Sequence, residues 1–146
     1  MTVESDDDLT ALKKIGGIVR DCMHEMAEHL RPGITTVELD EIGGRFLATQ
    51  GARSAPNLAY DFPGHTCISV NDEAAHGIPG ERALQDGDLV NIDVSAELNG
   101  YWADTGGSFP VGPAKPEIAR LCAFTKSARR KAVYAARAGR PINVIA

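Results

Sequence analysis

Residues 91–109 read NIDVSAELNGYWADTGGSF, and the Asn99-Gly100 step restricts the fold of this chain more than any other pair of neighbours. Asn-Gly between alternating apolar and polar segments favours a two-residue turn joining antiparallel strands. With Leu98 opposite Tyr101 the register follows along both strands: Asp104 faces Ser95, and Asp93 faces Gly106. Paired positions share a face of a sheet, as do positions two apart on one strand. Asp93 and Asp104 are therefore expected on one face as diagonal neighbours, their Cα atoms roughly 7–8 Å apart. The other face carries Val90, Ile92, Val94, Ala96 and Leu98 against Tyr101, Ala103, Thr105 and Phe109, and is expected to be core. A longer turn or a bulge reverses this parity.

Two carboxylates on one face have two readings. They are unrelated charges on a solvated surface, or they converge on something positive. Two divalent cations about 3.5–4 Å apart suit the second, because carboxylates bridge such pairs. The hairpin alone leaves both open.

The rest of the chain is that of an ordinary globular protein. Its 146 residues are enough for one domain with a core, at 43% hydrophobic and 24% charged. A net charge of −5, with no stripe of Lys and Arg, argues against nucleic acid and anionic membrane as partners. No run has the length to cross a bilayer. Cys22, Cys67 and Cys122 are odd in number and far apart, which disfavours a disulfide framework or a cysteine zinc site. The opening MTVESDDD has no apolar core of a secretory signal, so the cytoplasm is the expected compartment. Residues 1–8 are read as a disordered acidic tail running into an N-cap region around Asp6–Asp8.

Leu12, Ile15, Val19, Cys22, Met23, Met26 and Leu30 predict a first helix, ending before Arg31-Pro32-Gly33. Thr35-Thr36-Val37-Glu38 reads as a capping box opening a second, which stops at Gly51. Residues 52–66, rich in Pro, Gly and Asn, are expected to be loop, followed by a short strand TCISV. A third helix runs from Pro116 to near Gly139. LRPGITTVEL follows the first helix and AGRPINVIA the third, and both read as Arg-Pro, then Ile, then an N-cap residue. This faint repeat suggests a pseudo-symmetric protein represented by little more than half, with chance similarity as the alternative.

The segments DFPGHTCISVNDEAAHGIP and DGDLVNIDVSAELNGYWADTGGSFPVG strongly resemble the bacterial methionine aminopeptidases, from about Leu9 to Ala146. The resemblance implies an α+β pita-bread fold, an antiparallel sheet covered by helices, with residues 1–146 as its amino-terminal half. It implies a metalloaminopeptidase that removes N-terminal methionine from nascent proteins in the cytoplasm. Its cofactors would be two divalent metal ions (cobalt, manganese, iron or zinc), with Asp93 and Asp104 as ligands. His76 of His-Gly-Ile-Pro would be the catalytic histidine beside the scissile bond, and Phe62 and Cys67, with Tyr60 nearby, the methionine pocket. Nascent-chain N-termini are the implied partners, the ribosome a candidate one, and relatives of this kind are expected to be monomers.

The family's remaining ligands, one histidine and two glutamates, belong to its second half and have no match here. An inactive fragment or peptide-binding module is therefore the alternative function, and a prolidase-type dipeptidase a third. The 146-residue chain by itself is expected to hold metals weakly and to turn over little peptide.

Overall fold

The structure, a computed structural model, describes residues 2–145. Contacts divide the chain into two units, one up to Pro113 and one from Ala114 onwards.

Ser5 opens the first unit. Its hydroxyl accepts from the Asp8 backbone N–H at 3.1 Å, and the Asp8 carboxylate accepts from the Ser5 N–H at 3.0 Å. This reciprocal capping box starts α1, Asp6–Glu28. Asp6, Asp7 and Asp8 fill its first turn, where the helix dipole favours negative charge. The expected disordered tail over residues 1–8 is thus corrected: from Ser5 onward the acidic stretch is a helix start. Tyr101 Oη donates to Asp8 Oδ1 at 2.6 Å and ties that start to the hairpin. Met1 lies outside the described residues.

Ile15, Val19, Cys22 and Met26 recur every three or four residues along α1 and are fully buried. They face Val90, Ile92, Val94 and Ala96 of the sheet and, with Leu39 and Leu47 of α2, form one core. Each large side chain withdrawn from water contributes about 1.5–3 kcal/mol. Helix α2, Thr36–Thr49, begins as its capping box requires: Glu38 N–H donates to Thr35 Oγ1 at 3.2 Å and Thr35 N–H to Glu38 Oε2 at 2.8 Å.

Of the expected loop 52–66, residues 61–66 are loop, while residues 53–60 take up secondary structure. Arg53–Ser54 form β1, and Ala55–Tyr60 form a short helix, α3. Ser54 caps α3 through the Asn57 N–H, and Pro56 lies in its first turn, where a missing N–H costs nothing. The Ser-Ala-Pro-Asn sequence carried that signal.

Strand β2 is Cys67–Val70, β3 is Leu89–Leu98 and β4 is Tyr101–Pro110. All pairings are antiparallel and centre on β3. Strand β4 pairs along its whole length, while β2 meets residues 90–93 and β1 residues 96–97 on its other edge.

In the second unit, α4 spans Pro116–Ala135, ending short of Gly139. Its Leu121, Phe124, Val133 and Tyr134 are exposed. A 3-10 turn over Ile142–Ile145 stands where the sequence predicted the start of another helix. Among the described residues no helix is long and apolar enough to cross a membrane.

Candidate active site

The hairpin turns as its two central residues demand. Asn99 has φ 53° and Gly100 φ 87°, the paired positive values of a type I′ turn. Leu98 then pairs with Tyr101, Ser95 with Asp104, and Asp93 with Gly106, the register expected. Asp93 and Asp104 share one face, opposite the buried Val90, Ile92, Val94 and Ala96.

The two carboxyls are close enough for the charge of one to act on the other. Partial burial, then the negative charge of Asp104, push the Asp93 carboxyl up to about 6, while the charged form of His76 acts the other way. Ser95 Oγ donates to Asp104 Oδ1 on the same rung. Ser95 was not among the expected site residues, although the register already put it opposite Asp104.

Cys67 of β2 is the cross-strand partner of Asp93 on its other side. Its thiol is buried, and desolvation followed by the charge of Asp93 pushes it up to about 11. At neutral pH it is a protonated, soft apolar group and no nucleophile.

His76 reaches this neighbourhood on a loop held against β2. Ile68 N–H donates to Gly77 O at 3.0 Å, and Gly77 N–H donates to Ser69 Oγ at 3.1 Å. A Cβ at Gly77 would collide with the Ile68 carbonyl, so only glycine allows the approach. His76 itself sits at φ 55°, a left-handed conformation that costs a non-glycine residue about 1–2 kcal/mol. Its side chain is exposed, within electrostatic reach of Asp93.

Phe62 is half-buried beyond the left-handed Asp61 that ends α3. Asn57 Nδ2 donates to Phe62 O at 2.7 Å and to Gly64 O at 2.8 Å, bending the chain back towards Cys67. Tyr60, 84% exposed at the end of α3, stands in solvent. A cleft of about 390 Å³ between α1 and α2, lined by Glu25, His29, Ile42, Arg45, Phe46 and Thr49, contains none of these residues.

The donor set fits a hard divalent cation. Two converging carboxylates, one held above its ordinary range by burial and by the other's charge, are relieved when a cation neutralises both. Among the described residues no group of three or more His, Cys, Asp and Glu side chains is assembled for a metal.

Comparison with known proteins points the same way. The profile described as "Metallopeptidase family M24" matches residues 10–146. Methionine aminopeptidase 2 of Bacillus subtilis (strain 168) is 49% identical over 146 residues, 99% of this chain and 59% of that relative. The crystal structure of methionine aminopeptidase from Rickettsia prowazekii superposes with a TM-score of 0.86 at 30% identity, over 91% of this chain and 54% of that one. Prolidase from Pyrococcus furiosus gives 0.84 at 20% identity over 98% of this chain and 41% of its own, a likeness of fold alone. The pita-bread fold expected from the sequence is the fold of these neighbours. The chain thus spans between a half and three fifths of the methionine aminopeptidases it resembles.

Proposed function

The chain belongs to metallopeptidase family M24, and from that premise we propose that it serves metal-dependent removal of N-terminal methionine from peptides and nascent proteins in the cytoplasm. The observation carrying this reading is the pair Asp93 and Asp104, converging on one face of the hairpin with Cys67 beside Asp93. Asp93 and Asp104 would hold the divalent cations, of the cobalt, manganese, iron or zinc class. Bound there, such ions supply Lewis-acid polarisation of the scissile carbonyl and lower the pKa of water.

The chain's own residues do the rest. Cys67 and Phe62 offer a soft apolar wall to a thioether, with Tyr60 at its outer rim. His76, on its strained loop, exchanges a hydrogen bond with the peptide group as charge moves during cleavage, a role imidazole fills near neutral pH. Asp104 keeps its orientation through Ser95.

A second reading, a peptide-binding module without turnover, is favoured by the two-carboxylate set. One experiment separates them: the chain is incubated with manganese or cobalt and a Met-Ala-Ser peptide, and both binding and free methionine are measured. The expected result is metal-dependent binding with release more than about tenfold slower than by the Bacillus subtilis relative, since fewer ligands weaken metal and activity alike. Both are lost in Asp104→Asn. Binding with no release moves the reading to the module. Cleavage of X-Pro dipeptides in place of Met-Ala-Ser makes the chain prolidase-like, and neither binding nor release removes both proposals. His76→Ala is expected to lower kcat by about 10²–10⁴-fold with metal content unchanged.

A further inference from the structure

His76 and the pair Phe62 and Cys67 lie on two separate segments, and both segments are tied to a single turn of α2. The first amides of a helix have no partner within it. Here the Thr36 and Val37 N–H groups donate to Arg82 O and Gly80 O, at 3.0 Å each. Thr36 Oγ1 donates to Gly80 O at 3.0 Å and accepts from the Gly80 N–H at 2.9 Å. These bonds grip the downstream end of the loop His76-Gly77-Ile78-Pro79-Gly80, whose upstream half is pinned to β2.

Asp40 stands one turn further along the same buried face. Its carboxylate accepts from the His65 N–H at 2.9 Å, and from the Thr66 N–H and Thr66 Oγ1 at 2.7 Å each. That fixes the bend between Phe62 and Cys67. The two segments also touch: a Cβ at Gly64 would lie 2.8 Å from Pro79 Cγ and Cδ, and 3.3 Å from Asp40 Oδ2.

Stability alone does not call for this arrangement. Asp40 is 4% exposed, the groups that donate to its carboxyl are all neutral, and among the described residues it has no ion-pair partner. What a charged acceptor adds is short, directional bonds that hold a backbone in one place.

We propose that residues 36–40 of α2 act as a two-point clamp on the site. Thr36 sets how the His76 loop lies beside β2, and Asp40 sets the Phe62–Cys67 bend. Both are positioning residues that touch neither metal nor peptide, and the proposal rests on the reading of Asp93, Asp104 and His76 given above.

The test uses the 146-residue chain with Thr36→Val, Thr36→Ser and Asp40→Asn, and has two readouts. Amide hydrogen exchange needs no metal. Thr36→Val is expected to speed exchange about tenfold in residues 76–82 and leave residues 62–67 unchanged, as loss of a buried hydrogen bond implies. Asp40→Asn does the reverse, and Thr36→Ser, which keeps the hydroxyl, matches the unaltered chain. Should Asp40→Asn not fold, Thr66→Val removes one of the three donors and gives a smaller change in the same segment.

The second readout is broadening of the His76 ring NMR signals by manganese, which falls steeply with distance from the ion. Thr36→Val is expected to reduce it at unchanged manganese affinity, with Thr36→Ser restoring it. Loosening spread evenly through α1, or no segment-specific change, overturns the clamp. If the unaltered chain shows no manganese broadening at His76, the metal reading fails, and hydrogen exchange still decides the clamp.

Discussion

Asp93 and Asp104 lie on one face of a single hairpin, diagonal neighbours one same-face step out of register, close enough that the charge of Asp104 opposes ionisation of Asp93. Two negative groups so placed strain the metal-free fold and suit a cation.

The strain has a sign that can be measured. Asp93 rises from 3.8 to about 6 in the folded chain, so between those values the folded state binds more protons than the unfolded one. Stability therefore falls as pH climbs through that window and stays lower above it. Asp93→Asn should stabilise the metal-free chain at pH 7 by about 1 kcal/mol, the shift being discounted for partial exposure. The same substitution should weaken manganese binding at least about tenfold. Thermal melts with and without manganese check both, and a variant less stable than its parent when metal-free would contradict the account of the pair.

Glu97 has the opposite pH signature. It is buried on the site face, accepts from the Gly100 N–H at 2.5 Å and from Arg53 Nε at 2.8 Å, and pairs with Arg53 Nη2 at 2.7 Å. The Gly100 bond first, then Arg53, hold its carboxyl below its ordinary 4.5. That contribution is present above pH 4.5 and is lost as pH falls through the lowered value. Glu97→Gln should lower the melting temperature at pH 7, by an amount that shrinks in acid. A loss that is the same at pH 7 and well below pH 4 would mean the charge is not what holds the turn.

Trp102 is the lone tryptophan, half-exposed and two residues from Asp104 on the same face of β4. A paramagnetic ion held by Asp93 and Asp104 should quench its emission saturably, and a chelator should restore it. Quenching that persists in Asp104→Asn would locate the ion elsewhere.

Gly77→Ala tests the loop behind His76. The added Cβ meets the Ile68 carbonyl, backbone that cannot turn aside, so the loop must lift from β2. Overpacking of this kind costs about 1–3 kcal/mol. The expected outcome is that destabilisation in denaturant melts, together with faster amide exchange at Gly77 and Ile68. A neutral substitution would show that the loop is not seated as described.

What could be read from residue order was what neighbours along the chain decide. Asn99-Gly100 sets the turn, the turn sets the register, and the period of two then carries both aspartates to one face. Thr35 with Glu38, and the apolar spacing from Ile15 to Met26, marked helices in the same local way. The acidic run at Asp6–Asp8 rightly marked an N-cap region, but its net charge also suggested a disordered tail and hid Ser5, three residues before Asp8, as the capping residue. The Ser54 cap was likewise hidden under Pro and Asn. Tertiary structure alone decided that β2 lies beside β3 with Cys67 against Asp93, and that the His76 loop is pressed onto β2. It alone turned Asp40, an unremarked helix acid, into the buried acceptor for the bend at Thr66. The contacts of Asp40 and of Cys67 join segments 25 or more residues apart, and those of the His76 loop join residues eight and nine apart; their partners are chosen by which buried amides and faces remain to be satisfied once the core has closed, a condition no local pattern encodes.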